Sequence, residues 1–217
     1  MTKSEKLNFL ILFLLGGVSS FSLPPYNFFF INFISFTFLF LFLVEAKNSN
    51  KSKLIFFLYG WFFGFGYFIC SLYWISISLT FDNNFKFLIP ISIICIPAFI
   101  SLFFGFSTLI TKFFLSQKKI ITSVLIFSLV FSIIEYIRGI ALSGFPWNLI
   151  AYSFSNQTEF IQINSIVGIY GFNLLCITLF TIPVIWIIHK SKKNIYTLVI
   201  VGILVISNMI YGHIRLN

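Results

Sequence analysis

Residues 133–171 read IIEYIRGIALSGFPWNLIAYSFSNQTEFIQINSIVGIYG, and charged, amide, proline, glycine and tryptophan side chains gather here in an otherwise apolar chain. A glutamate and an arginine stand three residues apart in the first part of the segment. Such side chains are costly inside hydrocarbon and are kept there where they have partners or a function. This segment is therefore the predicted functional region, and the apolar sequence on both sides of it predicts the fold.

The composition of the chain places it among membrane proteins. Of its 217 residues, 59% are hydrophobic and 9% are charged, and the mean hydropathy is +1.03. Soluble domains have roughly 45–50% apolar and about 25% charged residues. The composition therefore predicts a polytopic membrane protein in which residues 1–217 form one transmembrane domain. We attribute the net charge of +9 to topology and headgroup contact, and not to nucleic-acid binding.

Seven apolar segments follow one another along the chain. A helix needs roughly 20 residues to cross the hydrocarbon core of a bilayer. Lipid offers the backbone no hydrogen-bond partners, and the segments lack the alternation of barrel strands, so the predicted fold is all-α. The predicted transmembrane helices cover about residues 7–23, 26–44, 54–79, 87–115, 120–141, 161–188 and 195–212.

The positions of the lysines predict how the chain is oriented. Eleven lysines fall at one set of helix ends, whereas the opposite ends carry Lys86 and Arg215. The positive-inside rule then places the N-terminus in the cytoplasm and the C-terminus in the periplasm. We expect the first segment to be a retained helix, because no A-x-A-like cleavage site follows it. The eleven are Lys3, Lys6, Lys47, Lys51, Lys53, Lys112, Lys118, Lys119, Lys190, Lys192 and Lys193.

Glu135 and Arg138 are predicted to lie on one face of the fifth helix, near its outer end. Residues three apart on a helix are close enough to pair. Each charge costs roughly 2.5–3.5 kcal/mol at the centre of a membrane helix, so both should face protein or water. Two interpretations remain open: a structural clamp between helices, which is the more common role of such a pair, and a charge that orients a loop or a headgroup.

The residues after Leu142 cannot continue as a regular helix, because Gly144 and Pro146 interrupt it. Trp147 suits the membrane interface, and Asn148 and Tyr152 add hydrogen-bonding groups to the same short stretch. Non-helical backbone at membrane depth is tolerated where protein covers it or where it lines a cavity. We therefore predict a cavity at the outer face.

The third segment contributes small and aromatic residues. Gly60 and Gly64 have the G-x-x-x-G spacing that permits close helix packing. Tyr73 and Trp74, near its outer end, are either interfacial residues or walls of the predicted outer cavity. The candidate lipid- or headgroup-lining residues are Tyr73, Trp74, Glu135, Arg138, Pro146, Trp147, Asn148 and Tyr152.

The cysteines and histidines indicate no reactive centre. Cys70, Cys95 and Cys176 lie in three separate apolar segments, and we expect them to be small buried hydrophobic residues. His189 and His213 stand far apart at segment ends. The sequence therefore predicts no metal site, no bound cofactor and no catalytic residue.

Four motifs resemble, in order and spacing, the membrane domain of bacterial apolipoprotein N-acyltransferase. They are GWFFGFGYFICSLYWI, EYIRG, SGFPWNLIAYS and GIYGFNLL, and they fall in the third to sixth helices. The resemblance covers essentially the whole chain. One departure is Ala151, where the family more often has glycine before Tyr-Ser.

The resemblance implies an enzyme of the bacterial inner membrane. Such an enzyme transfers an acyl chain from a phospholipid to the α-amino group of the lipidated N-terminal cysteine of a lipoprotein, through a thioester. In that family a nitrilase-like domain on the outer face carries a Glu-Lys-Cys triad, and the membrane helices hold this domain over the lipid. This chain has no counterpart of the triad.

Two classes of function follow. The chain is expected to be the membrane part of an acyltransferase, either as a truncated product or as one half of a split enzyme with a separately encoded nitrilase-like domain. The alternative is a non-catalytic membrane protein, such as a lipid-binding scaffold or a transporter. Transporters more often have paired broken helices in two related halves, and this sequence shows a single interrupted region.

Overall fold

The structure is a computed structural model that describes residues 3–141, 146–188 and 192–217. In these ranges the regular structure is entirely helical. The α-helices are α1 (Lys3–Ser19), α2 (Ile31–Asn48), α3 (Lys53–Ser71), α4 (Ile75–Ser78), α5 (Ile89–Phe114), α6 (Ile120–Ile140), α7 (Asn164–Thr181), α8 (Pro183–Ile188) and α9 (Lys192–Leu216). Short 3₁₀ helices cover Ser20–Ser22, Asn83–Leu88, Gln117–Lys119, Ile150–Phe154 and Phe160–Ile163.

Seven helical stretches in the described part of the chain are long and apolar enough to cross a membrane. This confirms the predicted all-α, multi-pass fold. The stretches are Lys3–Ser22, Ile31–Asn48, Lys53–Ser71, Asn83–Phe114, Ile120–Ile140, Phe160–Ile188 and Ile195–Leu216.

Three of these stretches differ from the apolar segments of the sequence in where helix begins or breaks. The second helix begins at Ile31 and not near residue 26, because turns extend from Leu23 to Phe29. The third ends at Ser71, and the amide of Ile75 bonds to the carbonyl of Leu72 instead of continuing the helical pattern. The sixth stretch is interrupted at Gly168, which has a φ of 69°, and again before α8.

The third helix lies at the centre of the bundle, where glycines let its neighbours approach. A Cβ on Gly16 of α1 would overlap the carbonyl of Phe63, and one on Gly66 of α3 would overlap the carbonyl of Phe13. On the other side, Gly60 faces Thr108 of α5. Small residues bring helix backbones together in membranes in this way, as the spacing of Gly60 and Gly64 predicts.

The buried interior is largely aromatic. Phe104 of α5 contacts the ring of Phe131 of α6 with centroids 4.8 Å apart, and its other ring neighbours are Phe63, Tyr67 and Phe68. All five of these side chains are fully buried. The glycines thus place the helix backbones, and the rings fill the space between α3, α5 and α6.

The expectation that all three cysteines are buried is wrong for two of them. Cys176 is buried, but Cys70 and Cys95 are exposed on the surface of the bundle. Both lie in stretches that are long and apolar enough to span a membrane. In lipid an apolar side chain gains little from being turned inward. The hydrophobic character of Cys70 and Cys95 was therefore no guide to whether they are buried in the bundle.

The two ends of the bundle differ in charge. Lys51 pairs with Glu5 of α1 at 2.8 Å, and Lys47 donates a hydrogen bond to the carbonyl of Lys112. These contacts join the start of α1, the α2–α3 turn and the end of α5 into one lysine-bearing end. The polar residues after α6 lie at the opposite end. Which end faces the cytoplasm stays a prediction from the positive-inside rule.

We predict that Gly60→Val destabilises the bundle, because the new side chain would overlap Thr108 and the carbonyl of Phe104. Overpacking of this kind typically costs about 1–3 kcal/mol. The matched control is Gly202→Val in α9, where nothing lies within 4 Å of an added Cβ. Denaturation in mixed micelles measures both variants, and equal losses of stability would contradict the close α3–α5 packing.

Candidate functional site

A buried ion pair lies at the end of α6. The Nε atom of Arg138 donates to Oε1 of Glu135 at 2.9 Å, and Nη2 of Arg138 donates to the second carboxylate oxygen. Glu135 is 0% exposed and Arg138 is 2% exposed. A bidentate arginine–carboxylate pair is among the strongest polar contacts in proteins. The helical spacing of three residues brings the groups together, and the pairing keeps each charge satisfied within the bundle.

Arg138 also holds the polar loop that follows α6. Its Nη1 atom donates to the carbonyl of Trp147 at 3.0 Å, and its guanidinium lies 5.3 Å from the ring centroid of Phe68 on α3. One side chain therefore connects α6, α3 and the loop. The clamp and the loop-orienting charge, left open as alternatives by the sequence, are combined in this residue.

Tyr67 is a site residue that the sequence reasoning missed. It is fully buried in α3, and its hydroxyl donates to the carbonyl of Asn148 at 3.0 Å. The Asn148 side chain in turn donates to the carbonyl of Ser71 at 3.3 Å. Tyr67 and Ser71 are four residues apart on one face of α3, and this spacing of polar residues in an apolar helix was the signal available in the sequence.

These contacts explain why α3 ends where it does. The last carbonyls of a helix have no partner within it. Here the carbonyl of Ser71 accepts from Asn148, whose own backbone has a φ of 57°. Asparagine tolerates this left-handed conformation better than most residues. The turn at Asn148 therefore supports both the loop and the end of α3.

The loop presents two stacked tryptophans at the end of the bundle opposite the lysines. The rings of Trp74 and Trp147 are 4.9 Å apart at an angle of 17°, and the residues are 40% and 47% exposed. Tyr73 is more exposed, at 58%, and Pro146 is partly buried. Ser143, Gly144 and Phe145, which the sequence also places in this loop, lie outside the described residues.

The chain after Asn148 turns inward as a 3₁₀ helix. The amide of Ala151 donates to Oδ1 of Asn173 on α7 at 2.9 Å, and both residues are buried. Burial raises the pKa of Tyr152, as does the nearby Tyr170, whereas the charge of Arg138 opposes the change. The Tyr152 hydroxyl is therefore protonated at neutral pH.

The structure thus brings five of the eight candidate residues into one network and leaves three beside it. Glu135, Arg138, Trp147 and Asn148 are held by hydrogen bonds, and Trp74 is held by stacking on Trp147. Tyr73, Pro146 and Tyr152 flank this network in sequence. The polar groups mainly satisfy one another, so the network is suited to holding backbone and aromatic rings in place.

Two apolar cavities lie between helices of the bundle. A groove of about 280 Å³ lies between α4 and α5, with Ile75, Leu79, Ile91 and Cys95 among its lining residues. A second cavity of about 170 Å³ lies between α7 and α9, and Asn208 is among its lining residues. None of the eight candidate residues lines either of these cavities.

We expect single replacements in the ion pair to be strongly destabilising, because each leaves one buried charge unpaired. Arg138→Met or Glu135→Leu should each cost about 3–5 kcal/mol. The double variant buries no charge and should lose less than the sum of the two single losses. A double-mutant cycle of micellar unfolding checks this, and strictly additive losses would contradict a coupled pair.

Comparison with known proteins gives a consistent result. A family model described as the apolipoprotein N-acyltransferase N-terminal domain matches residues 15–182. The chain is 28% identical over 214 residues to a protein of Rhizobium rhizogenes, covering 96% of this chain and 39% of that protein. It is 30% identical over 177 residues to a protein of Brucella melitensis, and the match covers 79% of this chain and 33% of that protein.

A third relative, from Rhodopseudomonas palustris, is 29% identical over 212 residues, covering 95% of this chain and 39% of that protein. All three relatives are named apolipoprotein N-acyltransferase. The chain therefore spans between a third and two fifths of the length of these curated relatives.

Proposed function

Because the chain belongs to the apolipoprotein N-acyltransferase family, we propose that it forms the membrane part of an enzyme that acylates lipoproteins. The acyl donor is a phospholipid, and the acceptor is the N-terminal lipidated cysteine of a lipoprotein. The proposed location is the bacterial inner membrane, with the N-terminus in the cytoplasm and the tryptophan pair at the periplasmic side. The family match supports the reaction, and the distribution of lysines supports the orientation.

The observation that carries this proposal is the anchored loop at the outer end of the bundle. Three helices each hold the backbone of this loop by one side-chain hydrogen bond. The side chains are Tyr67 of α3, Arg138 of α6 and Asn173 of α7. Sites that position reacting groups need such support from rigid elements. The stacked Trp74 and Trp147 then form a fixed aromatic surface at the level where headgroups lie.

The cysteines of this chain do not suit the nucleophilic step. A reactive thiol needs an electropositive, partly exposed setting that favours the thiolate. Cys176 is buried among apolar residues, and Cys70 and Cys95 face lipid from membrane-spanning helices. We therefore assign the Glu-Lys-Cys triad to a nitrilase-like domain outside these 217 residues, either continuous with them or encoded separately.

The groove between α4 and α5 is the proposed path of the donor acyl chain. Its lining is almost entirely apolar, and one of its lining residues, Ile75, directly follows Trp74 in the chain. Hydrocarbon gains contacts in such a groove without desolvating polar groups. A lipid bound there would have its ester bonds near the aromatic pair, beneath the proposed catalytic domain.

Complementation of a bacterial strain that lacks apolipoprotein N-acyltransferase tests the proposed function. We expect growth when this chain is fused to the nitrilase-like domain of a relative, and none with the chain alone. A third arm carries the same catalytic domain on an unrelated membrane anchor. Growth from the chain alone would refute the assignment of the triad, and equal growth with the unrelated anchor would favour a non-specific scaffold.

In the same fusion, Trp147→Ala should lower acyl transfer at least about tenfold without preventing membrane insertion. The change removes the stacking partner of Trp74, and a loss of about 1.4 kcal/mol in positioning corresponds to this factor. Trp186→Ala on α8 is the matched control, because that residue is also a partly exposed tryptophan. Similar transfer rates in the two variants would contradict a role for the aromatic pair.

A further inference from the structure

Lysines from three helix ends converge at the end of the bundle opposite the tryptophan pair. Nζ of Lys47 on α2 donates to the carbonyl of Lys112 at 2.9 Å, and Nζ of Lys112 on α5 donates to the carbonyl of Lys51 at 2.7 Å. Lys53 is the first residue of α3. We call Lys47, Lys53 and Lys112 the lysine cluster.

The carboxylates at this end act on a different lysine. Glu5 forms an ion pair with Lys51 at 2.8 Å, and the charge of Glu45 also acts on Lys51. The hydrogen bond that Lys51 donates to Glu5 raises the pKa of Lys51 and keeps its ammonium group protonated. In the described part of the chain, no carboxylate lies within 4 Å of the ammonium groups of the lysine cluster.

The cluster therefore holds positive charges close together without a matching negative charge. The ammonium groups of Lys47 and Lys53 lie near enough to act on the charge of Lys112. Lys47 and Lys112 gain from their places in the last turns of α2 and α5, where the helix dipole is negative. Lys53 stands at the positive end of α3, so the dipole does not explain its position.

Apolar rings lie directly beneath these charges. The Lys53 ammonium is 5.3 Å from the ring centroid of Phe113, and that of Lys112 is 5.0 Å from the centroid of Phe56. Phe113 is exposed at the end of a membrane-spanning helix, next to the exposed Phe114. Phe56 is buried, so a ligand that fits here has a negative group at the level of the lysines and hydrocarbon along Phe113 and Phe114.

Hydrogen-bond donors are available for such a ligand. An ammonium group has three N–H donors, and Lys47 and Lys112 each use one of them for a backbone carbonyl. Those bonds also hold the two side chains in place before a ligand arrives. A phosphate group, with several acceptor oxygens, suits a place where several such N–H donors are left over.

We propose that Lys47, Lys53 and Lys112 bind the phosphate of one anionic membrane lipid, whose acyl chains lie along Phe113 and Phe114. Basic pockets between transmembrane helices bind anionic headgroups by this combination of charge and apolar surface. The bound lipid supplies the negative charge that the cluster lacks and connects the ends of α2, α3 and α5. The site is separate from the outer loop and does not depend on the proposed acyl transfer.

Native mass spectrometry of the full chain in detergent, titrated with phosphatidylglycerol or phosphatidylcholine, tests the site. We expect one saturable phosphatidylglycerol molecule bound in preference to phosphatidylcholine. Each lysine near a membrane surface contributes about 1 kcal/mol, so Lys53→Gln should weaken this binding about fivefold. Lys53 has no hydrogen bond to backbone in the described chain, so this variant leaves the bonds of Lys47 and Lys112 intact.

A charge-matched pair of triple variants separates a site from diffuse attraction. Replacing Lys47, Lys53 and Lys112 by glutamine should abolish the preference for phosphatidylglycerol. Replacing the exposed Lys6, Lys118 and Lys119 at the same end removes equal charge and should preserve it. Equal losses in the two variants, no lipid preference in the original chain, or equally tight binding of inorganic phosphate alone would each overturn the proposal.

Discussion

The end of the bundle opposite the lysines depends on an arginine and a glutamate that are buried among apolar helices. Removing two charges from water is costly, and a pair formed inside protein offsets that cost when its geometry is good and its remaining donors are used. Here the pair is bidentate, and the remaining Nη1 donor of Arg138 reaches the carbonyl of Trp147. The requirement to satisfy a buried guanidinium thus fixes the position of the loop.

The same constraint applies to the loop backbone. Non-helical peptide groups among membrane helices need partners from protein, since hydrocarbon provides none. Tyr67, Arg138 and Asn173 each supply one, and the side chain of Asn148 caps α3 in return. The exposed tryptophan pair rests on this buried polar network, so its orientation is set by groups that do not touch the membrane surface.

The charged residues at the two ends of the bundle differ in whether the protein itself provides their partners. At the end that carries Glu135 and Arg138, each buried charge has its partner within the same helix, and backbone carbonyls accept the remaining hydrogen bonds. At the lysine-bearing end only Lys51 has an acidic partner among the described residues, and within the lysine cluster Lys53 lies over the exposed ring of Phe113. In the lipid site that we propose, an anionic headgroup provides the negative charge that the lysine cluster lacks.

The sequence by itself determined that the chain forms seven helical stretches long and apolar enough to cross a membrane, since lipid offers the backbone of such segments no hydrogen-bond partners. It also located the polar residues after α6 and the i, i+3 spacing of Glu135 and Arg138. It did not predict that α3 ends at Ser71, that Tyr67 and Asn173 hold the loop, or that Trp74 stacks on Trp147. Those features join residues more than 20 positions apart, and local periodicity carries no information about such contacts. Only the packing of α3, α6 and α7 decided which carbonyl each buried donor could reach.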